Sequence, residues 1–190
     1  MIRELEYPFA LNKIRDLTVG QRVSISGKLF TGRDRLHKYL FDGGKSPVDL
    51  KDGAIYHAGP VAIRRDGVWV VKAAGPTTSM REEPYMAKII EHYRVRVIIG
   101  KGGMGEATRN ACAKYGCVYL QAVGGAASLL AESIKAVNSV SFLSEFGAAE
   151  ALWELTVKGF RAVVTIDAAG RSLHKRIERS SRRVLEKVLK

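Results

Sequence analysis

Two short segments carry the residues best suited to chemistry, Gly75-Pro76-Thr77-Thr78-Ser79-Met80-Arg81 and Ile98-Ile99-Gly100-Lys101-Gly102-Gly103-Met104-Gly105. Each follows a β-rich run, Val68–Val71 or Val95–Ile99, and each opens onto a helical pattern. A Gly-rich turn at such a junction frees backbone N–H groups at a helix N-terminus, where the dipole favours an anion. Each turn adds a cation, Arg81 or Lys101, and the first adds the hydroxyls of Thr77, Thr78 and Ser79. A third junction, Phe30-Thr31-Gly32-Arg33-Asp34-Arg35-Leu36-His37, repeats the arrangement with Arg33. Arginine forks match carboxylates two-pronged, and a lysine supplies a compact point charge. Such a set suits a small polyanion with two carboxylates. Capping and left-handed backbone alone also place Gly, Ser and Thr at turns. The repetition of cation and hydroxyl at one kind of junction is what points to a site.

The elements that must position these residues follow from pattern. Between the two turns, Met80 to Tyr93 reads as a helix with Tyr85, Met86, Ile89, Ile90 and Tyr93 on one face. Residues 1–20 read as a leading arm. A half-buried strand follows at Val23, Ile25, Gly27 and Leu29, and then a helix with Leu36, Tyr39 and Leu40 inward. Short strands at 54–60 and 61–71 are separated by the Asp66-Gly67 turn, a hairpin signal. Gly105 to Tyr115 reads as a helix, Cys117 to Ala122 as a strand and Gly125 to Ala136 as an Ala-rich helix. Further strands are expected at 139–143, 155–157 and 161–166, with a short helix around 148–153. Strands first, then β/α alternation, argue a single mixed α/β domain over 1–190 with a parallel βαβ portion.

Composition limits the classes. The chain has 190 residues, 46% of them hydrophobic and 26% charged, as a globular domain does. No apolar run reaches the length of a membrane helix and no signal-peptide core opens the sequence, so a cytoplasmic protein is expected. Cys112 and Cys117 fall short of the three or four thiolates of an iron–sulfur cluster, and His37, His57, His92 and His174 lack metal-ligand spacing with carboxylates. The net charge of +12 raises nucleic acid as a partner. Half of it lies in 171–190, where eight Lys or Arg face Glu178 and Glu186. Leu173, Ile177, Val184, Leu185 and Val188 form an apolar seam there, which predicts a docked helix with a solvated basic face. Gly100-Lys101-Gly102-Gly103 also looks like the GXXG backbone clamp of KH-type RNA-binding modules. Glu106 stands where that module needs a large aliphatic residue, and the following helix is rich in small residues, so nucleic acid is disfavoured. A nucleotide-binding GxGxxG opening or GxxxxGK[ST] loop is absent.

Taken in order, Gly32-Arg33-Asp34-x-x-His37, Ile55-Tyr56-His57-Ala58-Gly59-Pro60, and the two Gly-bearing turns from Gly75 and Gly100 resemble the β subunit of iron–sulfur hydro-lyases. These are the class I fumarases and the L(+)-tartrate dehydratases. Glu145-Phe146-Gly147, Glu150-Ala151-Leu152-Trp153 and Val163–Asp167 extend the resemblance, which covers about residues 6–170. It implies a three-layer swivelling β/β/α domain. It also implies a 4Fe–4S cluster held by cysteines of a partner α subunit rather than by this chain, and a hetero-oligomer of α2β2 type. The implied reaction is reversible hydration of fumarate to (S)-malate, with tartrate dehydration as the alternative. Thr77, Lys101 and His37 are then the expected catalytic residues. Arg33, Arg81 and Thr78 are the expected substrate-binding ones.

Overall fold

The computed structural model describes residues 1–189. In chain order its elements are β1 (Ile2–Glu6), α1 (Leu11–Arg15), β2 (Arg22–Thr31), α2 (Asp34–Phe41), β3 (Ala54–Tyr56), β4 (Val61–Arg65) and β5 (Val68–Ala73). A 3-10 turn (Ser79–Glu82) then leads into α3 (Glu83–Tyr93), β6 (Val97–Gly100), α4 (Glu106–Tyr115), β7 (Val118–Gln121) and α5 (Ala127–Glu132). The rest is β8 (Ile134–Ser141), α6 (Leu143–Phe146), β9 (Leu152–Ile166) and α7 (Leu173–Val188).

The strands β3, β6 and β7 are parallel neighbours, paired through Ala54↔Val97 and Val97↔Val118. They read as near-continuous apolar runs because both of their faces are buried. The two-residue period sorts their side chains. Ile55, Ile98 and Tyr119 point to Leu36, Leu40, Met86, Ile89, Ile90 and Cys112 of α2, α3 and α4. Tyr56, Ile99 and Leu120 point the other way, to Trp153, Leu155, Phe160 and Val164 of β9. The sheet order is β1-β2-β3-β6-β7-β9-β8, and β9 also pairs antiparallel with β2, closing five strands into a ring. Closure needs β2 to bend at a bulge beside Gly27, whose φ is 98°. A Cβ there would lie 2.8 Å from the Tyr7 Cβ, so glycine is required on both counts. The mixed α/β expectation is met, and β4–β5 form a hairpin at Asp66-Gly67, both with positive φ.

Four expectations are corrected. Residues 2–6 of the leading arm form a sheet strand, β1, in parallel register with β2. The Ala-rich helix ends at Glu132, and Ile134–Ser141 is a strand on β9. The separate strands at 155–157 and 161–166, with a helix around 148–153, are one 15-residue strand. Cross-strand pairing overrides local preference there: Trp153 is fully buried, and its N–H donates to Thr31 Oγ1 at 3.1 Å. Finally, α7 is helical and capped by Ser172, but it buries none of its residues. Ile177 is 55% exposed and Val188 75%, so the predicted seam exists without a dock. Among the described residues no helix is long and apolar enough to cross a membrane.

Because α7 contributes no buried side chain, deleting residues 173–190 is expected to move the thermal midpoint by no more than about 2 °C. Differential scanning fluorimetry checks this. A fall several times larger would mean that the helix packs on the domain in solution.

Candidate active site

The candidate residues gather at the carboxyl ends of the parallel strands, where open α/β sheets place their ligand sites. Main-chain bonds hold the first two turns together. Thr78 and Lys101 form a parallel bridge, and the Ser79 N–H donates to the Lys101 carbonyl at 2.9 Å. Thr77 is fixed through the next strand end, since its N–H and its Oγ1 donate to the His57 carbonyl at 2.7 and 3.0 Å. The Thr77 hydroxyl proton is thereby directed inward, leaving the oxygen lone pairs for a ligand. The approach of the two turns is close enough to exclude any side chain at position 100. A Cβ on Gly100 would sit 1.8 Å from Ser79 Oγ. Lys101 itself is exposed, with no carboxylate within ion-pair distance among the described residues.

The third turn joins through charges. Arg81 pairs with Asp34 at 3.0 Å and Arg33 with Glu150 at 3.4 Å, the latter carboxylate also accepting the Arg35 N–H at 3.0 Å. Asp34 stands next to Arg33 in the chain, so the two guanidinium groups belong to one patch. Each fork has five donors, and one carboxylate partner leaves several for a second anion. Thr31, at the same strand end, does not join them. Its hydroxyl bonds to Ala151 and Trp153 within the sheet.

Behind this patch lies a buried polar layer. His37 is 1% exposed, and its Nδ1 bonds the Arg33 carbonyl at 2.8 Å, which places the proton on that nitrogen. Burial lowers its pKa to about 4, so it is neutral at pH 7. The expected catalytic His37 thus lies beneath Arg33, away from the surface. Its ring stands edge-on to the fully buried His57, with centroids 4.9 Å apart. Glu82 lies 3.6 Å from His37 Nδ1, and neither of its oxygens has a hydrogen-bond partner. Burial first, and the Asp34 carboxylate second, raise the Glu82 pKa to about 8.

The anion-binding helix end anticipated after Gly105 is already filled. Glu83, at the start of α3, accepts from the Gly105 N–H at 2.8 Å, the Thr108 N–H at 3.2 Å and the Thr108 hydroxyl at 2.6 Å. An internal carboxylate therefore takes the place that a substrate or a nucleic-acid phosphate would need. The cationic side chains at this rim are those of Arg33, Arg81 and Lys101. Sequence reasoning missed Glu82, Glu83, Asp34 and Glu150 as partners, and no spacing rule joins them. Only the neighbourhood of Asp34 to Arg33 gave a signal. For an iron–sulfur cluster the chain's own donors do not fit. Its two thiols, Cys112 and Cys117, are fully buried, and no group of three metal-binding side chains occurs among the described residues.

The Fumarase C-terminus family matches residues 3–177. The chain belongs to this family. A Geobacillus stearothermophilus protein named "Putative fumarate hydratase class I" is 52% identical over 178 residues, which are 93% of this chain and 34% of that protein. The chain thus spans about a third of that relative's length. "Putative L(+)-tartrate dehydratase subunit beta" of Methanocaldococcus jannaschii is 39% identical, covering 97% of each chain. The L(+)-tartrate dehydratase subunit beta of Escherichia coli is 35% identical over 91% of this chain and 87% of its own. The four motif segments all fall within the span that the Fumarase C-terminus family covers.

The buried pair Glu82 and His37 gives this family member a pH-dependent stability. Glu82 moves from an ordinary 4.5 to about 8 on folding, so its contribution is fully present below 4.5 and is lost as pH rises through 8. His37 moves from 6.5 to about 4, so its contribution is present above 6.5 and is lost as pH falls through 4. Between pH 6.5 and 9 only the Glu82 effect changes, by about 2 kcal/mol. Glu82→Gln is expected to flatten the midpoint-versus-pH curve in that window and to leave it unchanged only below about 4.5. An unaltered alkaline slope in the variant would show that Glu82 is ionised throughout.

Proposed function

We propose that this chain is the β subunit of a two-subunit hydro-lyase that interconverts fumarate and (S)-malate in the cytoplasm. In this reading it is a single swivelling β/β/α domain over 1–190. The cysteines of a partner α subunit hold a 4Fe–4S cluster, and the assembly is of α2β2 type. The observation that carries the reading is the main-chain pairing of Thr78 with Lys101. It sets the Lys101 and Thr78 main chains side by side, with Thr77 one residue before Thr78 and Arg81 three after it. The relatives named subunit beta support a separate partner. The apolar side chains exposed on α7 give a partner surface to cover.

Arg33 and Arg81 bind the substrate carboxylates, helped by the exposed Thr78 hydroxyl. In the dehydration direction a proton leaves C3 of malate, and negative charge spreads onto the neighbouring carboxylate as an enediolate. Lys101 stabilises that charge at one point, in a cleft that the partner closes to water. To act as the base, Thr77 first gives up the hydroxyl proton it shares with the His57 carbonyl, and its alkoxide, favoured by the cations of Lys101 and Arg81, takes the C3 proton. The proton released by Thr77 leaves with the C2 hydroxyl as water, so atoms and charge balance. His37 holds or passes a proton from behind Arg33 without touching substrate, because it is buried.

L(+)-tartrate is the second reading, favoured by the relatives that match nearly end to end. One extra hydroxyl distinguishes it from malate, and a site built to hydrogen-bond that group rejects the analogue lacking it. With the partner subunit added under anaerobic conditions, oxygen-sensitive hydratase activity is expected, and none from this chain alone. Comparing kcat/KM for malate and L-tartrate decides between the substrates. Lys101→Ala is expected to lower turnover on the order of 100-fold while the domain stays folded. Unchanged turnover, alongside salt-sensitive RNA binding lost in the same variant, would overturn the assignment in favour of a nucleic-acid clamp.

A further inference from the structure

The Ser79 hydroxyl is a buried side-chain group that touches both turns of the site. It accepts from the Lys101 N–H at 3.2 Å and from the Tyr119 hydroxyl at 2.9 Å, and it lies 2.9 Å from His57 Nδ1. A serine hydroxyl has one proton and two lone pairs. With both lone pairs taken in this way its proton goes to His57 Nδ1, which assigns the imidazole proton to Nε2, a buried atom with no hydrogen-bond partner among the described residues. His57 extends the chain of contacts, since its own carbonyl receives both donors of Thr77 and its N–H donates to Ile99 at 2.8 Å. Ser79 and His57 are both 0% exposed, so water does not replace a lost partner cheaply. Tyr119 reaches the far end of the same loop, where the Gly103 backbone contacts its hydroxyl.

We infer that Ser79 and His57 are positioning residues of the hydro-lyase reaction: their hydrogen bond fixes the Thr77 oxygen relative to the main chain from which Lys101 projects. The inference rests on the function proposed above. No side chain of the hub faces the substrate space, so its effect passes through those two residues. Arg33 stands on a different turn, held by Glu150, and Arg81 is held by Asp34. Ground-state binding of the carboxylates is therefore separable from alignment of the reacting groups, and loss of the hub falls on kcat.

The test uses the assembled enzyme and its preferred substrate. Ser79→Ala and His57→Leu are expected to lower kcat at least about 10-fold with KM changed by less than about 3-fold. His57→Asn, whose amide oxygen can stand at the Nδ1 position and accept the Ser79 proton, is expected to recover most of the loss. A KM increase at constant kcat would overturn the inference. So would a kcat per folded molecule that stays at the wild-type value, or an equal loss in His57→Asn and His57→Leu. Nitrogen-15 NMR of the isolated chain gives a readout independent of turnover. His57 is expected as the neutral Nε2–H tautomer in the wild type, with that preference lost in Ser79→Ala. A wild-type Nδ1–H tautomer would overturn the hub, whatever the enzyme does. If the wild-type assembly turned over neither malate nor tartrate, the function would fall and the positioning role with it, while the tautomer would still report whether the hub exists.

Discussion

The contact between the Ser79 segment and the Lys101 segment is the constraint on which the rest of the site depends. A main-chain hydrogen bond could join any pair of extended segments, but here it joins the ends of two βα units. A glycine at position 100 is the condition for their approach, because any Cβ there would overlap the Ser79 hydroxyl. With that contact made, the positions of Thr77, Thr78 and Lys101 follow from chain connectivity. Arg81 follows too, two residues beyond Ser79 on the 3-10 turn.

The platform beneath is stiff for a reason visible in its pairing. Strands β3, β6 and β7 are covered on both faces, and β2 and β9 close around them, so few backbone groups at the strand ends are free to move. Rigid elements hold side chains more accurately than loops do. The structure then places the cationic side chains at the rim and spends its buried polar groups just below. His37 is kept neutral and Glu82 protonated by burial at neutral pH, so the layer under the arginines carries no net charge of its own. The positive field at the rim comes from Arg33, Arg81 and Lys101, tempered by Asp34 and Glu150.

Helix dipoles play a smaller part than the Gly-rich turns suggest. Glu83 caps α4 from inside, and the Ser79 N–H is consumed by the Lys101 carbonyl. Turn composition alone cannot separate a helix end that waits for a ligand from one satisfied by its own chain. The Gly105 N–H is bonded either way, and only the partner differs.

The sequence by itself determined the mixed α/β class, the junctions that carry Arg33, Thr77, Arg81 and Lys101, and the family, because these depend on local pattern and ordered motifs. Helices α2 and α3 were legible from their apolar periodicity, and the β4–β5 hairpin from Asp66-Gly67. The amphipathic pattern of α7 was legible as well, but not that its apolar face stays uncovered, since periodicity records a face and never its partner. Tertiary structure alone decided that 152–166 is one strand, that residues 2–6 join the sheet, and that His37 lies beneath Arg33. It alone brought Glu82 to His37, Glu83 to Gly105, and Ser79 to His57 and Tyr119. Those pairs lie 22 to 45 positions apart. Their distances are set by which strand ends the closed sheet makes adjacent, a property of pairing order that no local residue pattern encodes.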